Sequence, residues 1–270
     1  MKPFAAALAL SLSLAALGTG SARAGATDSD DERAARWSEI RKEIFGDKAI
    51  TPSDTAVTID APVRALDAAL VPIGLQMADK ERVKAISFII DDNPTPYAAH
   101  VTFGPAADPS ELKLRVRVNN YTNVHAVVET KDGRFFESTR FVKASGGCSA
   151  PMGMSDEEAM KGMGDMRMKF AEARPGKPVE ATLMIRHPNF SGMQMNQVTR
   201  DYTPARYIQT IDVHHGDKLV FHMDGDISIA TNPVINFALL PEGSGSIKVR
   251  ASDNQQGSWE QTFTVPAASH

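Results

Sequence analysis

Short runs of alternating apolar and polar residues, broken about every ten positions by Pro, Gly or Asp, point this chain to a β-sandwich. Leu112, Leu114, Val116 and Val118 alternate in this way, as do Val124, Ala126 and Val128, so one face of each run belongs in a core. Strands are expected near 57–61, 70–75, 83–91, 97–103, 111–118, 123–130 and 135–142. Asp132-Gly133 supplies the turn of the last hairpin, because these residues accept the positive φ of a tight turn. A second series follows near 179–186, 207–214, 218–224, 234–240, 246–252 and 258–265, with hairpins at His215-Gly216-Asp217 and at 254–257. A chain of 270 residues has room for two domains of about 100 residues each. The expected fold is therefore mainly β, with two immunoglobulin-like sandwiches at 51–143 and 177–266 and a frayed tail from Pro266.

What precedes the first sandwich has a different character. Residues 1–24 open on Lys2, continue as an apolar run over 4–17 and close on Ala22-Arg23-Ala24, the pattern of a cleaved export signal. The run is shorter than the roughly 20 apolar residues that span a bilayer, and no later stretch is longer, so no membrane span is expected. Removing Lys2 and Arg23 lowers the basic count from 29 to 27 against 33 acidic residues, a net charge of −6. With charges of both signs mixed along the chain, no basic face is available for nucleic acid. Residues 25–50 read as a small acidic leader and an amphipathic helix. Trp37, Ile40, Ile44 and Phe45 share one face of that helix and Gly46 ends it, so it should clasp the first sandwich.

The break between the sandwiches, 144–176, carries the chemistry. It contains the only cysteine, Cys148, directly after Gly146 and Gly147. An exported protein with one cysteine has no internal disulfide, and its thiol is open to oxidation or to a Cys148-linked dimer. Glycines lack Cβ atoms and permit positive φ, so the stretch reads as a flexible arm that presents a reactive thiol. The start of a following helix and Lys143 are the nearby groups expected to lower the thiol pKa. That helix is expected over 155–172, weakened by Gly162 and Gly164.

Six of the twelve methionines lie between Met152 and Met168. On such a helix Met160 and Met163 would share a face, as would Met163 and Met166, and thioethers with a thiolate select Cu(I). The commoner use of such methionines is to fill an irregular interface. His187 precedes a proline, and His214, His215 and His222 flank one hairpin; these are read as solvated edge residues. Arg186 and Arg206 are candidates to contact an anionic cargo. No histidine base accompanies Cys148 locally, so no catalytic residues are assigned.

Residues 37–148 resemble SoxY, the sulfur-carrier subunit of the periplasmic thiosulfate-oxidising system. The matching pieces are Ala61-Pro62, Val71-Pro72-Ile73, Val83-Lys84-Ala85-Ile86, Asp92-Asn93-Pro94-Thr95-Pro96, Asn123-Val124-His125-Ala126-Val127 and Gly146-Gly147-Cys148. Residues 177–265 resemble its partner SoxZ in Ile185-Arg186-His187-Pro188, Pro204-Ala205-Arg206-Tyr207-Ile208 and Thr231-Asn232-Pro233. The whole is similar to the fused SoxYZ-like carriers associated with quinoprotein dehydrogenases.

The resemblance implies a periplasmic, non-enzymatic carrier. Cys148 would hold a sulfur intermediate covalently, Gly146 and Gly147 would give the arm mobility, and periplasmic redox enzymes would be the partners. No cofactor other than the covalent adduct is implied. Two other functions remain open from the residues: a Met-rich Cu(I)-binding protein using Met160, Met163 and Met166, and a structural adaptor for a quinoprotein dehydrogenase. In SoxY the arm is a free C-terminus, whereas here Cys148 is tethered on both sides.

Overall fold

The computed structural model describes residues 28–196, 199–240 and 245–266, so the export signal expected at 1–24 lies outside the described residues. Helix α1 (Asp30–Phe45) begins at a capping box. The Glu32 N–H donates to Ser29 Oγ at 3.3 Å, and the Ser29 N–H donates to Glu32 Oε2 at 2.7 Å. Gly46, at φ 63°, ends it and donates to Lys42 O. Ile40 and Phe45 pack with Ile50, Ile89, Val127 and Phe135, while Trp37 stacks on His125 at 3.7 Å between ring centroids. The clasp read from the helical periodicity is the one observed.

The strands are β1 (Ile50–Pro52), β2 (Val57–Asp60), β3 (Val71–Met77), β4 (Val83–Ile90), β5 (Tyr97–Phe103), β6 (Ala107–Val116), β7 (Thr122–Thr130) and β8 (Phe135–Val142) in the first half. After a short helix, α2 (Asp156–Met160), come β9 (Met166–Phe170), β10 (Val179–Ile185), β11 (Ile208–His215), β12 (Lys218–Gly225), β13 (Val234–Leu239), β14 (Ser246–Asp253) and β15 (Ser258–Thr264). The fold is mainly β, as the alternation predicts.

The two halves are not beads on a string. One sheet runs β1-β8-β7-β4-β5-β12-β11-β14-β15 and the other β2-β3-β6-β13-β10-β9. Each crosses from the first half to the second, through β5 against β12 and β6 against β13, both antiparallel. An open strand edge exposes unpaired N–H and C=O groups that template aggregation. Here the inner edges of each half cover those of the other. The larger apolar core, from Val57 to Val265, runs across both halves, beside the smaller cluster under α1.

One expected element is wrong. Residues 155–172 do not form a helix: α2 stops at Met160, and Met166–Phe170 is a strand paired with β10. Gly162 and Gly164 take φ of 66° and 92°, which breaks the helix. A Cβ on Gly164 would lie 2.0 Å from the Trp259 ring, so the turn there requires glycine. The Met-bearing helix face therefore does not exist. Met160 is exposed in the last turn of α2, Met163 sits in the turn beyond, and Met166 is buried in the core, so the helical grouping behind the Cu(I) reading is gone.

Asp253, at the end of β14, ties the second half together. Its carboxylate accepts from Arg206 Nε at 2.7 Å and from the N–H groups of Gln255 (2.9 Å) and Gly257 (2.6 Å), with His187 Nε2 at 3.4 Å. Burial alone would raise its pKa, but the Arg206 and backbone bonds hold it below the usual carboxylate value. Its stabilising contribution is thus present above the unfolded pKa and lost as the pH falls through the lower folded one. Asp253→Asn is expected to cost about 3 kcal/mol at pH 7, because it strips a buried pair of its anion. Urea unfolding at pH 7 and pH 3 checks this: the difference between wild type and variant should shrink at the lower pH.

Candidate functional site

Cys148 is the free cysteine, and the structure buries it completely. The slack, solvent-reachable arm expected from its glycines is instead folded into a slot where the two sandwich halves meet. The Gly146 N–H donates to Asn119 O at 2.7 Å and the Gly147 N–H to Val118 O at 3.1 Å, so the arm lies along the chain leaving β6. Gly147 is buried, and a Cβ there would fall 2.1 Å from Ala68 O and 2.6 Å from Val118 O. Gly147 is thus needed for close approach rather than for mobility. Gly146 supplies the turn at φ 75°. From the other half, Ser191 Oγ donates to Cys148 O. Beyond the slot the chain surfaces again, with Ser149, Pro151, Gly153, Met154 and Ser155 exposed.

The charge beside the thiol belongs to Arg117, not to Lys143 or the start of α2. Arg117 is 1% exposed, and its guanidinium donates through Nη1 to Ile229 O at 2.7 Å and Ile227 O at 3.2 Å. Through Nη2 it donates to Thr231 Oγ1 at 2.8 Å. Burial pushes the Cys148 thiol up to about 11, with Arg117 pulling part of the way back. At pH 7 only about one docked sulfur in ten thousand is a thiolate, the reacting form. In the slot the cysteine is protected from oxidants and from substrates alike.

Four of the pieces that carry the family resemblance border the slot, beside residues such as Arg117, Asn189 and Ser191 that lie outside them. Asn93, in Asp92-Asn93-Pro94, donates through Nδ2 to Arg117 O and to Ser228 Oγ, both at 2.8 Å, and accepts from the Asn119 N–H at 2.8 Å. Ala61-Pro62 leads into the loop whose Val63 carbonyl accepts from the Lys143 N–H at 2.9 Å, fixing the root of the arm. His187 Nδ1 and Asn189 Oδ1 lie 2.6 Å apart, and Asn189 Nδ2 reaches the carbonyls of Ile229 (3.3 Å) and Ala230 (3.2 Å). Thr231 Oγ1 accepts from Arg117 and donates to Pro188 O at 2.9 Å, with Met152 Sδ 3.4 Å away.

His187 and His215 are therefore buried, a correction to their reading as solvated edge residues. Of that group His214 and His222 are half-buried, and His222 lies between Asp212 and Asp224 at 2.8 and 3.2 Å. Arg206 is occupied by Asp253, and Arg186 donates to Lys161 O, so neither faces Cys148 as a cargo contact. Arg117, Asn93, Ser191 and Thr231 were not singled out for the site by their residue types. The only local signal was an arginine between Val116 and Val118, and alternation alone would turn it to solvent.

Among the described residues no helix is long and apolar enough to cross a membrane. The family model described as sulfur oxidation protein SoxY matches residues 41–148, ending on the cysteine. That described as sulphur oxidation protein SoxZ matches 166–264. No curated protein matches the chain. Solved structures similar to it include the sulfur carrier protein SoxY from Chlorobium limicola f thiosulfatophilum, at 28% identity over 42% of this chain and 94% of that one, TM-score 0.36. A β-glycosidase from Bacteroides vulgatus (10% identity, 81% of this chain and 25% of that one, TM-score 0.22) is another. So are the chicken CNTN1 FN1-FN3 domains (7% identity, 79% and 65%, TM-score 0.22).

Proposed function

Because this chain belongs to the SoxY–SoxZ family of sulfur-oxidation proteins, with both members in one polypeptide, we propose that it is a carrier whose cargo is a sulfur intermediate held covalently on Cys148. The observation that carries the reading is that residues from both halves are spent on seating one Gly-Gly-Cys segment. Asn119 and Val118 hold its backbone from the first half and Ser191 holds it from the second. The protein itself performs no catalysis in this account. It acts in the periplasm, after export, and gives its cargo to redox enzymes there, a quinoprotein dehydrogenase system being one candidate.

A carrier with a buried sulfur must open. Releasing the segment breaks three hydrogen bonds, at about 1 kcal/mol net each, and exposes one small side chain. The cost is about 3–5 kcal/mol, well within the range of local opening in native proteins. Cys148 lies four residues beyond buried Ala144, so the open arm carries the sulfur at most about 14 Å from its root. A partner must therefore offer a shallow site. A Cys148-linked dimer would need the same opening.

Alkylation of Cys148 in native buffer tests this. The rate should rise only slightly with dilute urea, the signature of a small local opening. A rate that tracks urea with the full dependence of global unfolding, from zero denaturant upward, would contradict an arm that opens on its own.

A further inference from the structure

Arg117 presents an electrostatic anomaly. It is a fully buried guanidinium whose two Nη groups meet only neutral partners, the carbonyls of Ile227 and Ile229 and the hydroxyl of Thr231. Its Nε is buried with no hydrogen-bond partner. No carboxylate pairs with it among the described residues, and the one titratable group whose charge reaches it is Cys148. An unpaired buried charge is expensive, and native interiors supply a counter-ion or hydrogen bonds to every donor.

The backbone geometry puts the two together. The residue after Arg117 holds the residue before Cys148, through the Gly147 N–H to Val118 O bond. Thr231 bridges from the guanidinium to Met152, just past the cysteine.

We propose that Arg117 is an anion site for position 148: it is the counter-ion of the docked arm when sulfur 148 bears a negative charge, as the thiolate or as the anionic end of what it carries. Burial outweighs this attraction for the bare thiol, which docks neutral and leaves the guanidinium uncompensated; Arg117 offsets part of the burial cost of any anion at position 148. This deepens the carrier reading, but the test needs no cargo. Its failure would leave the adduct measurement untouched.

The test replaces the sulfur by a carboxylate and by its neutral isostere, Cys148→Asp and Cys148→Asn, in the full chain with Arg117 intact. Folding stability of the pair is compared between pH 7 and pH 5, so that every titrating group common to both variants cancels. Burial raises the carboxylate pKa at this position, and a counter-ion offsets part of the rise. The gain of the Asp variant over the Asn variant as the pH falls from 7 to 5 should therefore be several-fold smaller with Arg117 than in an Arg117→Gln background, where burial acts alone. Equal gains in the two backgrounds would overturn the proposal. So would failure of the Asp variant to fold at pH 7 where the Asn variant folds, a comparison that stands even if Arg117→Gln does not fold.

Discussion

Gly147→Ala is expected to lift the arm from its slot and raise the alkylation rate of Cys148 in native buffer by about 100-fold or more. The added methyl would lie 2.1 Å from Ala68 O and 2.6 Å from Val118 O, both backbone atoms of elements that join the core. Moving the end of β6 would disturb its pairing with β3 and β13, whereas undocking costs about 3–5 kcal/mol by the hydrogen-bond count. The arm should therefore yield first. Removing an opening penalty of that size raises the accessible population by two to four decades, at about 1.4 kcal/mol per decade.

Gly146→Ala provides the comparison. Nothing crowds its Cβ closer than Ser149 Oγ at 3.9 Å, and only its φ of 75° resists a side chain, for about 1–2 kcal/mol. An increase of roughly tenfold follows. Equal effects from the two variants would mean that the slot does not grip Gly147 as described.

Cys148→Ser should abolish adduct formation and stop sulfur oxidation by any system that depends on this carrier. The fold should survive, because the side chain touches no structural bond: the bonds that seat the segment come from its backbone. Burying a hydroxyl in place of a thiol costs about 1–3 kcal/mol if it finds no partner. Complementation of a strain lacking the chain, beside thermal melts of the purified variant, separates the two effects. Residual turnover with a folded Cys148→Ser protein would remove Cys148 from the chemistry.

Much of the architecture was legible because it is local. Alternation in Leu112, Leu114 and Val116 and helical spacing in Trp37, Ile40 and Ile44 each report a buried face directly. The helix expected over 155–172 overran because Ser155 and Glu158 mark a helix start, which the structure keeps, but nothing local marks its end at Met160. Met166, Met168 and Phe170 stand two apart, and pairing with β10 decides for the strand. β1 is too short to carry a pattern. The joining of β5 to β12 and β6 to β13 links positions far apart in the chain, and no local periodicity records such pairing.

The arm was misjudged in its environment, not in its place. Gly146-Gly147 reads as slack until the carbonyls of Ala68 and Val118 are seen pressing on Gly147. Alternation with Val116 and Val118 alone would turn Arg117 to solvent, but the second half closes over it with the carbonyls of Ile227 and Ile229.

The most direct test is the mass of the Cys148 peptide in protein isolated, without reductant, from cells oxidising reduced sulfur compounds. A carrier should yield a sulfur-containing increment on that peptide, removed by reductant and missing from cells grown without such compounds. A free, unmodified Cys148 thiol under both conditions would contradict the assignment.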